Sequence, residues 1–66
     1  MALSLLRLKR LAEGLTIKQL AELAQINPTD MGRIDRLQAR PSRRVGQFLA
    51  DHYREKLDRL LTSVKA

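Results

Sequence analysis

The residues best suited to chemistry in this sequence are arginines concentrated in its middle third. Between Asn27 and Gln47 stand Arg33, Arg36, Arg40, Arg43 and Arg44. Only two aspartates accompany these five arginines, so the segment carries a net charge of +3 within a chain whose net charge is +6. An arginine guanidinium presents a planar set of donors that matches phosphate oxygens and the major-groove edge of guanine. The pattern therefore favours a polyanionic partner.

Catalytic and metal chemistry find little support in the sequence. The 66 residues include no Cys and a single His, His52, so there is neither a thiolate nor a set of metal ligands at ordinary spacing. His52 and its neighbour Tyr53 fall in an apolar helical pattern, and we interpret them as packing or surface residues because nothing pairs them with a nucleophile. We expect no enzyme activity, no cofactor and no metal.

The elements that position the arginines are predicted to be helices. Ser4 is expected to cap a first helix that ends at Gly14. Thr16, followed three residues later by Gln19, is a capping-box pattern that opens a second helix. Asn27, with Pro28 directly after it, predicts the start of a third helix.

The C-terminal third is predicted to be one long helix. Pro41 ends the preceding element and Ser42 can cap the next, whose apolar residues recur at steps of three and four without a Gly or Pro after Gly46. This pattern predicts a helix over residues 42–64. Its end carries an apolar stripe formed by Leu57, Leu60, Leu61 and Val64. The stripe is interpreted either as a homodimer interface or as a surface that folds back onto the first helix.

The segment from Leu15 to Ser42 resembles the helix-turn-helix of the Xre family, the Cro-type and lambda-repressor-like DNA-binding domains. The matching residues are Leu20, Ala21, Ala24, Ile26, Met31 and Ile34, followed by Pro41-Ser42 at the family's spacing. The stretch LKRLAEGLT upstream and Leu49-Ala50 downstream extend the likeness over about Leu5 to Tyr53. The resemblance implies an all-α, lambda-repressor-like bundle of four to five helices with a long C-terminal helix. It forms a single domain over residues 1–66 with the motif at about 16–36.

The resemblance also implies that the second helix of the motif enters a DNA major groove. The candidate DNA-binding residues are Lys18, Asn27, Thr29, Asp30, Arg33, Arg36, Arg40, Arg43 and Arg44. Arg33 and Arg36 are expected at base edges or phosphates, although a solvated pair explains their spacing too. Thr29 and Asn27 are candidates for contact with bases or phosphate, but local helix capping explains Asn27 better. Asp30 would repel phosphates unless it meets a cytosine amino group or merely stabilises the start of its helix.

Two single positions and the recognition helix itself depart from the family pattern. In the recognition helix, Pro28 and Gly32 offer no side-chain hydrogen bonds to bases. Gln25 stands where the family usually has Gly, so we expect either a strained left-handed backbone or a shifted turn there. Ile17 stands where the family often has Gln, which helps to position the DNA backbone.

The function implied by the resemblance is that of a small sequence-specific transcriptional regulator, a repressor that binds double-stranded DNA as a homodimer in the cytoplasm, in association with the nucleoid. The alternative is a protein-interaction module on the same scaffold, such as an antitoxin or an adaptor. No membrane partner is expected, because Arg7 interrupts the apolar run near the start.

Overall fold

Five helices and one short antiparallel ribbon make up residues 2–65, which are the residues that the computed structural model describes. The elements are β1 (Ala2–Ser4), α1 (Leu5–Glu13), α2 (Ile17–Ala24), α3 (Pro28–Asp35), α4 (Arg43–Tyr53), α5 (Leu57–Leu60) and β2 (Ser63–Lys65). The prediction of a mostly helical fold is confirmed. The expectation of a purely α structure is wrong, because the two ends of the chain form the ribbon.

The helix starts lie where their capping residues predict. Each of four caps accepts a hydrogen bond from a backbone N–H in the first turn, namely Ser4, Thr16, Asn27 and Ser42. The capping box is complete, because the Gln19 side chain also accepts from the backbone N–H of Thr16 at 2.9 Å. These local bonds satisfy N–H groups that a helix otherwise leaves unpaired.

Four of the helices in residues 2–65 are followed by a residue with a left-handed backbone. These residues are Gly14, Gln25, Leu37 and Arg54. The predicted left-handed conformation of Gln25 is confirmed by its φ of 59°. There the N–H of Ile26 donates to the carbonyl of Ala21 at 3.0 Å, which is the long bond of a Schellman motif. Only Gly14 adopts this conformation without a steric penalty from a Cβ atom.

We expect Gln25→Gly to raise the free energy of unfolding by about 1 kcal/mol, because glycine removes the left-handed penalty and the Gln25 side chain is exposed. Urea denaturation measures the change. Glu22→Gly is the matched control: it places glycine at an exposed helical position of α2, where the same residue should lower stability by about 1 kcal/mol. Equal signs for the two variants would contradict the strain assigned to Gln25.

The hydrophobic core joins the helices through aliphatic side chains. It consists of Leu6, Leu20, Ala21, Ala24, Met31, Ile34, Val45, Leu49 and Leu60. Leu6 comes from α1 and Leu60 from α5, so the first and last helices cover the same core. The burial of these aliphatic groups is the main favourable term for a chain of this size.

The prediction of one long C-terminal helix is wrong. Helix α4 ends at Tyr53, Arg54 turns the chain with a φ of 51°, and the four-residue α5 packs back across α4. This return depends on Gly46, because a Cβ atom at that position would lie 2.7 Å from Cδ2 of Leu57. The small residue therefore permits a contact that a side chain would block.

The chain then returns to its own beginning. Strand β2 pairs with β1 in antiparallel register, with Leu3 opposite Val64, and the N–H of Leu5 donates to the carbonyl of Thr62 at 3.0 Å. These long-range bonds fix the C-terminal segment against the start of α1. None of the helices in residues 2–65 combines the length and apolar composition needed to cross a membrane.

The apolar stripe is divided by this return. Leu60 is fully buried in the core, so its predicted place in a dimer interface is wrong. Leu57, Leu61 and Val64 are half-buried. For Leu60 the alternative interpretation is correct, in which the stripe folds back onto the first helix, because α5 packs against α1.

Candidate nucleic-acid interface

Helices α2 and α3 form a tightly packed pair. Leu20 and Ala21 of α2 and Met31 of α3 are fully buried, and Ile26 in the connecting turn packs against the same core. The small side chain of Ala21 leaves room for close packing of the two helices. The left-handed Gln25 reverses the chain so that α3 begins only four residues after α2 ends. One face of α3 is thereby fixed in the core and the other is presented to solvent.

The exposed face of α3 has fewer side chains with free hydrogen-bonding groups than its sequence indicates. Residues 27–30 and Arg33 are exposed, whereas Gly32 is buried. Oδ1 of Asn27 accepts the N–H of Thr29 at 2.8 Å, so the capping interpretation of Asn27 is confirmed and that oxygen is engaged. Thr29, Asp30 and Arg33 remain as exposed α3 side chains for which the described residues show no hydrogen bond or ion pair of the side chain.

The side chain of Arg36, the residue directly after α3, lies back across that helix. Nη1 of Arg36 lies 3.2 Å from the position that a Cβ atom on Gly32 would occupy, and its Nε donates to Oε1 of Gln38 at 3.4 Å. The side chain therefore covers the backbone at Gly32. Its predicted contact with bases would require it to leave this position.

A cleft between α3 and the start of α4 collects three of the candidate residues. Asp30, Arg33 and Arg40 line it, and its volume is about 200 Å³. Ser42 also lines this cleft, and apolar side chains of the core, including Ile34, complete its wall. Because α4 begins directly after Ser42, its first-turn N–H groups add positive potential at this edge.

The remaining exposed candidates lie elsewhere. Arg43, in the first turn of α4, lines a separate groove that also includes Gly46 and Lys56. Lys18 is exposed in the first turn of α2. For neither cation does the structure place a carboxylate within 4.0 Å in the part of the chain that it describes.

Arg44 has a structural role that the sequence did not indicate. Its Nη1 donates to the carbonyl of Ala24 at 2.8 Å, and its Nη2 donates to the carbonyl of Gln25 at 3.3 Å. The guanidinium thus satisfies carbonyls at the end of α2 and ties that end to α4. Arg44 therefore helps to hold the turn of the α2–α3 pair, and its predicted phosphate contact stays a prediction.

Sequence reasoning missed a buried ion pair that anchors the far end of α3. Arg10 of α1 and Asp35 of α3 are 5% and 2% exposed, and Nε of Arg10 donates to Oδ1 of Asp35 at 3.0 Å. Arg10 also donates to the carbonyl of Leu15 at 2.7 Å, and the Ser4 hydroxyl donates to the carbonyl of Asp35 at 2.7 Å. These bonds fix the end of α3 relative to α1.

A second polar cluster joins the ends of α1 and α4. Glu13 lies 2.7 Å from Nε2 of His52 and accepts a hydrogen bond from the Tyr53 hydroxyl at 3.0 Å. Burial, together with the hydrogen bond to Glu13, raises the pKa of Tyr53 above its ordinary range. Within residues 2–65, no three His, Cys, Asp or Glu side chains come together as candidate metal ligands.

The comparisons with known proteins supply no assignment. No family model matches the chain, and the searches of curated proteins and of solved structures returned no significant match.

Proposed function

We propose that this protein is a small sequence-specific DNA-binding regulator of the Xre type, in which α2 and α3 form a helix-turn-helix and α3 enters the major groove. The observation that carries the proposal is the position of α3. One face is fixed by the core and by the Arg10–Asp35 pair, and the other presents Thr29, Asp30 and Arg33 to solvent. This is the arrangement that a recognition helix requires.

The charge around α3 supports the same proposal. Arg33 and Arg40 line the cleft beside α3, and Arg43 and Lys18 are exposed at the starts of the two flanking helices. In the proposed complex, the cations outside α3 contact phosphates and fix the register, while Arg33 contacts a base edge. Exposed cations near helix N-termini are well placed for phosphate oxygens.

Homodimer formation and repression complete the proposal. Two copies on adjacent half-sites double the small contact surface of a single α3 and exclude other proteins from a promoter. The half-buried Leu57, Leu61 and Val64 are the residues assigned to the interface, without Leu60. A cytoplasmic, nucleoid-associated location follows from a DNA partner.

A protein-interaction module on the same scaffold is the second candidate. The observation in its favour is that Leu11 of α1 and Leu23 of α2 are 54% and 52% exposed. Exposed leucines of this size are found at protein-binding surfaces when they form a patch. This candidate permits salt-sensitive DNA binding, whereas the DNA-binding proposal requires it.

The test is the salt dependence of binding to random duplex DNA. We expect Arg40→Ala with Arg43→Ala to weaken binding to all duplexes alike and to reduce the slope of log affinity against log salt by about two, because each lost phosphate contact removes about 0.9 from the slope. Gel shifts over a series of salt concentrations measure both quantities.

The control removes the same charge from residues that do not line the cleft beside α3. Arg54→Ala with Arg59→Ala changes two exposed cations near α5 and should leave the slope nearly unchanged. Equal slopes for wild type and both double variants would contradict the proposed interface. Wild-type protein that binds no duplex at low salt would leave the interaction module as the better proposal.

A further inference from the structure

We infer that Asp30 is a specificity determinant whose carboxylate accepts a hydrogen bond from the N4 amino group of a cytosine, with Arg33 on a guanine beside it. The inference rests on the proposed function and adds the base-pair class that the site selects. The inference starts from the charge of Asp30, which is acidic although the charged residues beside it in the cleft are arginines. Asp30 lines the same cleft as Arg33 and Arg40.

Few groups on α3 are able to read a base. Pro28 and Gly32 have no side-chain donor or acceptor, and Asn27 uses its oxygen to cap the helix. Arg36 is folded over Gly32 and bonded to Gln38. Thr29, Asp30 and Arg33 are therefore the exposed α3 side chains that contact bases in the proposed complex. One of these three groups is a carboxylate.

The carboxylate of Asp30 has no cation to neutralise it in the structure. Arg33 is one helical turn further along α3, yet within residues 2–65 no Lys, Arg or His nitrogen lies within 4.0 Å of the Asp30 carboxylate. On entering a groove lined by phosphates, this charge would lose water and meet negative potential. A hydrogen-bond donor on a base edge is the group that offsets this cost.

Base geometry favours cytosine over adenine as that donor. In the major groove the adenine N6 amino group lies between two acceptors, N7 of adenine and O4 of thymine. The cytosine N4 amino group has an acceptor on one side only, O6 of the paired guanine. A carboxylate only accepts hydrogen bonds, so it is repelled less at cytosine. Arg33 matches the two acceptors of guanine.

The experiment selects binding sites from a pool of randomised duplexes with wild-type protein and with Asp30→Asn. We expect the wild type to prefer cytosine over adenine at one position of each half-site by roughly 10-fold. Asparagine has nearly the same shape but matches N6 and N7 of adenine, so Asp30→Asn should reverse that preference at the same position.

Glu22→Gln is the control with the same change of charge. Glu22 is an exposed carboxylate on α2 outside the cleft, so its loss should raise affinity for all duplexes without changing the selected sequence. Circular dichroism verifies that each variant is folded. Selection of the same base by wild type and Asp30→Asn would overturn the inference and would leave Asp30 as a residue that only stabilises the start of α3. Folded wild-type protein that selects no duplex would overturn the proposed function as well, so the two failures are distinguishable.

Discussion

Arg10→Met is expected to lower the free energy of unfolding by about 3–5 kcal/mol, because it leaves the buried carboxylate of Asp35 without its partner. The Asp35 side chain is 2% exposed, so water does not replace the lost guanidinium. The substitution also removes the donor to the Leu15 carbonyl, which Arg10 contacts at 2.7 Å. Because a domain of this size has only about 3–5 kcal/mol available, the variant should be largely unfolded, and urea denaturation followed by circular dichroism measures this.

Two further variants test whether the loss of stability comes from the Arg10–Asp35 pair or from any arginine near Asp35. Arg10→Met with Asp35→Leu removes both charges, and we expect it to recover most of the lost stability. Arg7→Met is the matched single control, since the Arg7 side chain is 38% exposed and its Nε lies 3.9 Å from Oδ2 of Asp35. A loss for Arg7→Met as large as that for Arg10→Met would contradict the assignment of the pair.

The double variant also connects stability with the proposed function. If the pair sets the direction of α3, a stable but uncharged core should weaken selection of specific duplexes and leave the proposed phosphate contacts of Arg40 and Arg43 intact. The salt slope would then stay the same while specificity falls. A buried ionic pair used in this way contributes conformational specificity more than net stability.

Local sequence signals predicted the starts of four helices and the conformation of one turn. Caps such as Thr16 and Asn27 act through bonds to their own first turn, so they are readable without knowledge of the fold. Gln25 was predicted from the place of glycine in a related pattern, and its positive φ confirms that the turn imposes the conformation on the residue. The caps depend only on neighbours in sequence, whereas the prediction for Gln25 depended on the resemblance.

The buried ion pair between Arg10 and Asp35 could also have been predicted from the sequence. Arg10 stands four residues after the buried Leu6, and Asp35 stands four residues after the buried Met31, so both charges occupy core positions of their helices. Opposite charges at two such positions indicate a buried pair. A net charge, whether of a segment or of the whole chain, hides this signal because it adds buried and exposed groups together.

The C-terminal return and the role of Arg44 lay beyond local signals. The apolar period continues past Arg54, and a left-handed arginine has no sequence signature, so the end of α4 is set by tertiary contacts. Gly46 was the available indication, since glycine inside a helix costs about 1 kcal/mol and implies a close neighbour. The bonds of Arg44 join positions 19 and 20 residues apart. Such bonds exist only once the fold is formed.

Leu60→Ala is expected to have the second large effect on stability. It should lower the free energy of unfolding by about 2–5 kcal/mol, because it leaves a cavity where a fully buried side chain stood. The loss should be the same at every protein concentration, since Leu60 packs within one chain. Thermal unfolding at several concentrations measures this. Leu61→Ala, at the half-buried neighbouring position, is the matched control and should cost less.

Concentration decides between core and interface for the whole apolar stripe. A residue at a dimer interface changes the dissociation constant, so its substitution lowers the melting temperature most at low protein concentration. We expect that behaviour for Leu61→Ala and not for Leu60→Ala, with sedimentation velocity reporting the state of each variant. A Leu60→Ala protein that sediments as a monomer and whose melting temperature falls most at low protein concentration would place Leu60 between two chains, contrary to its complete burial within one. Leu61→Ala protein that behaves like wild type at all concentrations would remove this stripe from the proposed dimer and leave each α3 to bind DNA alone.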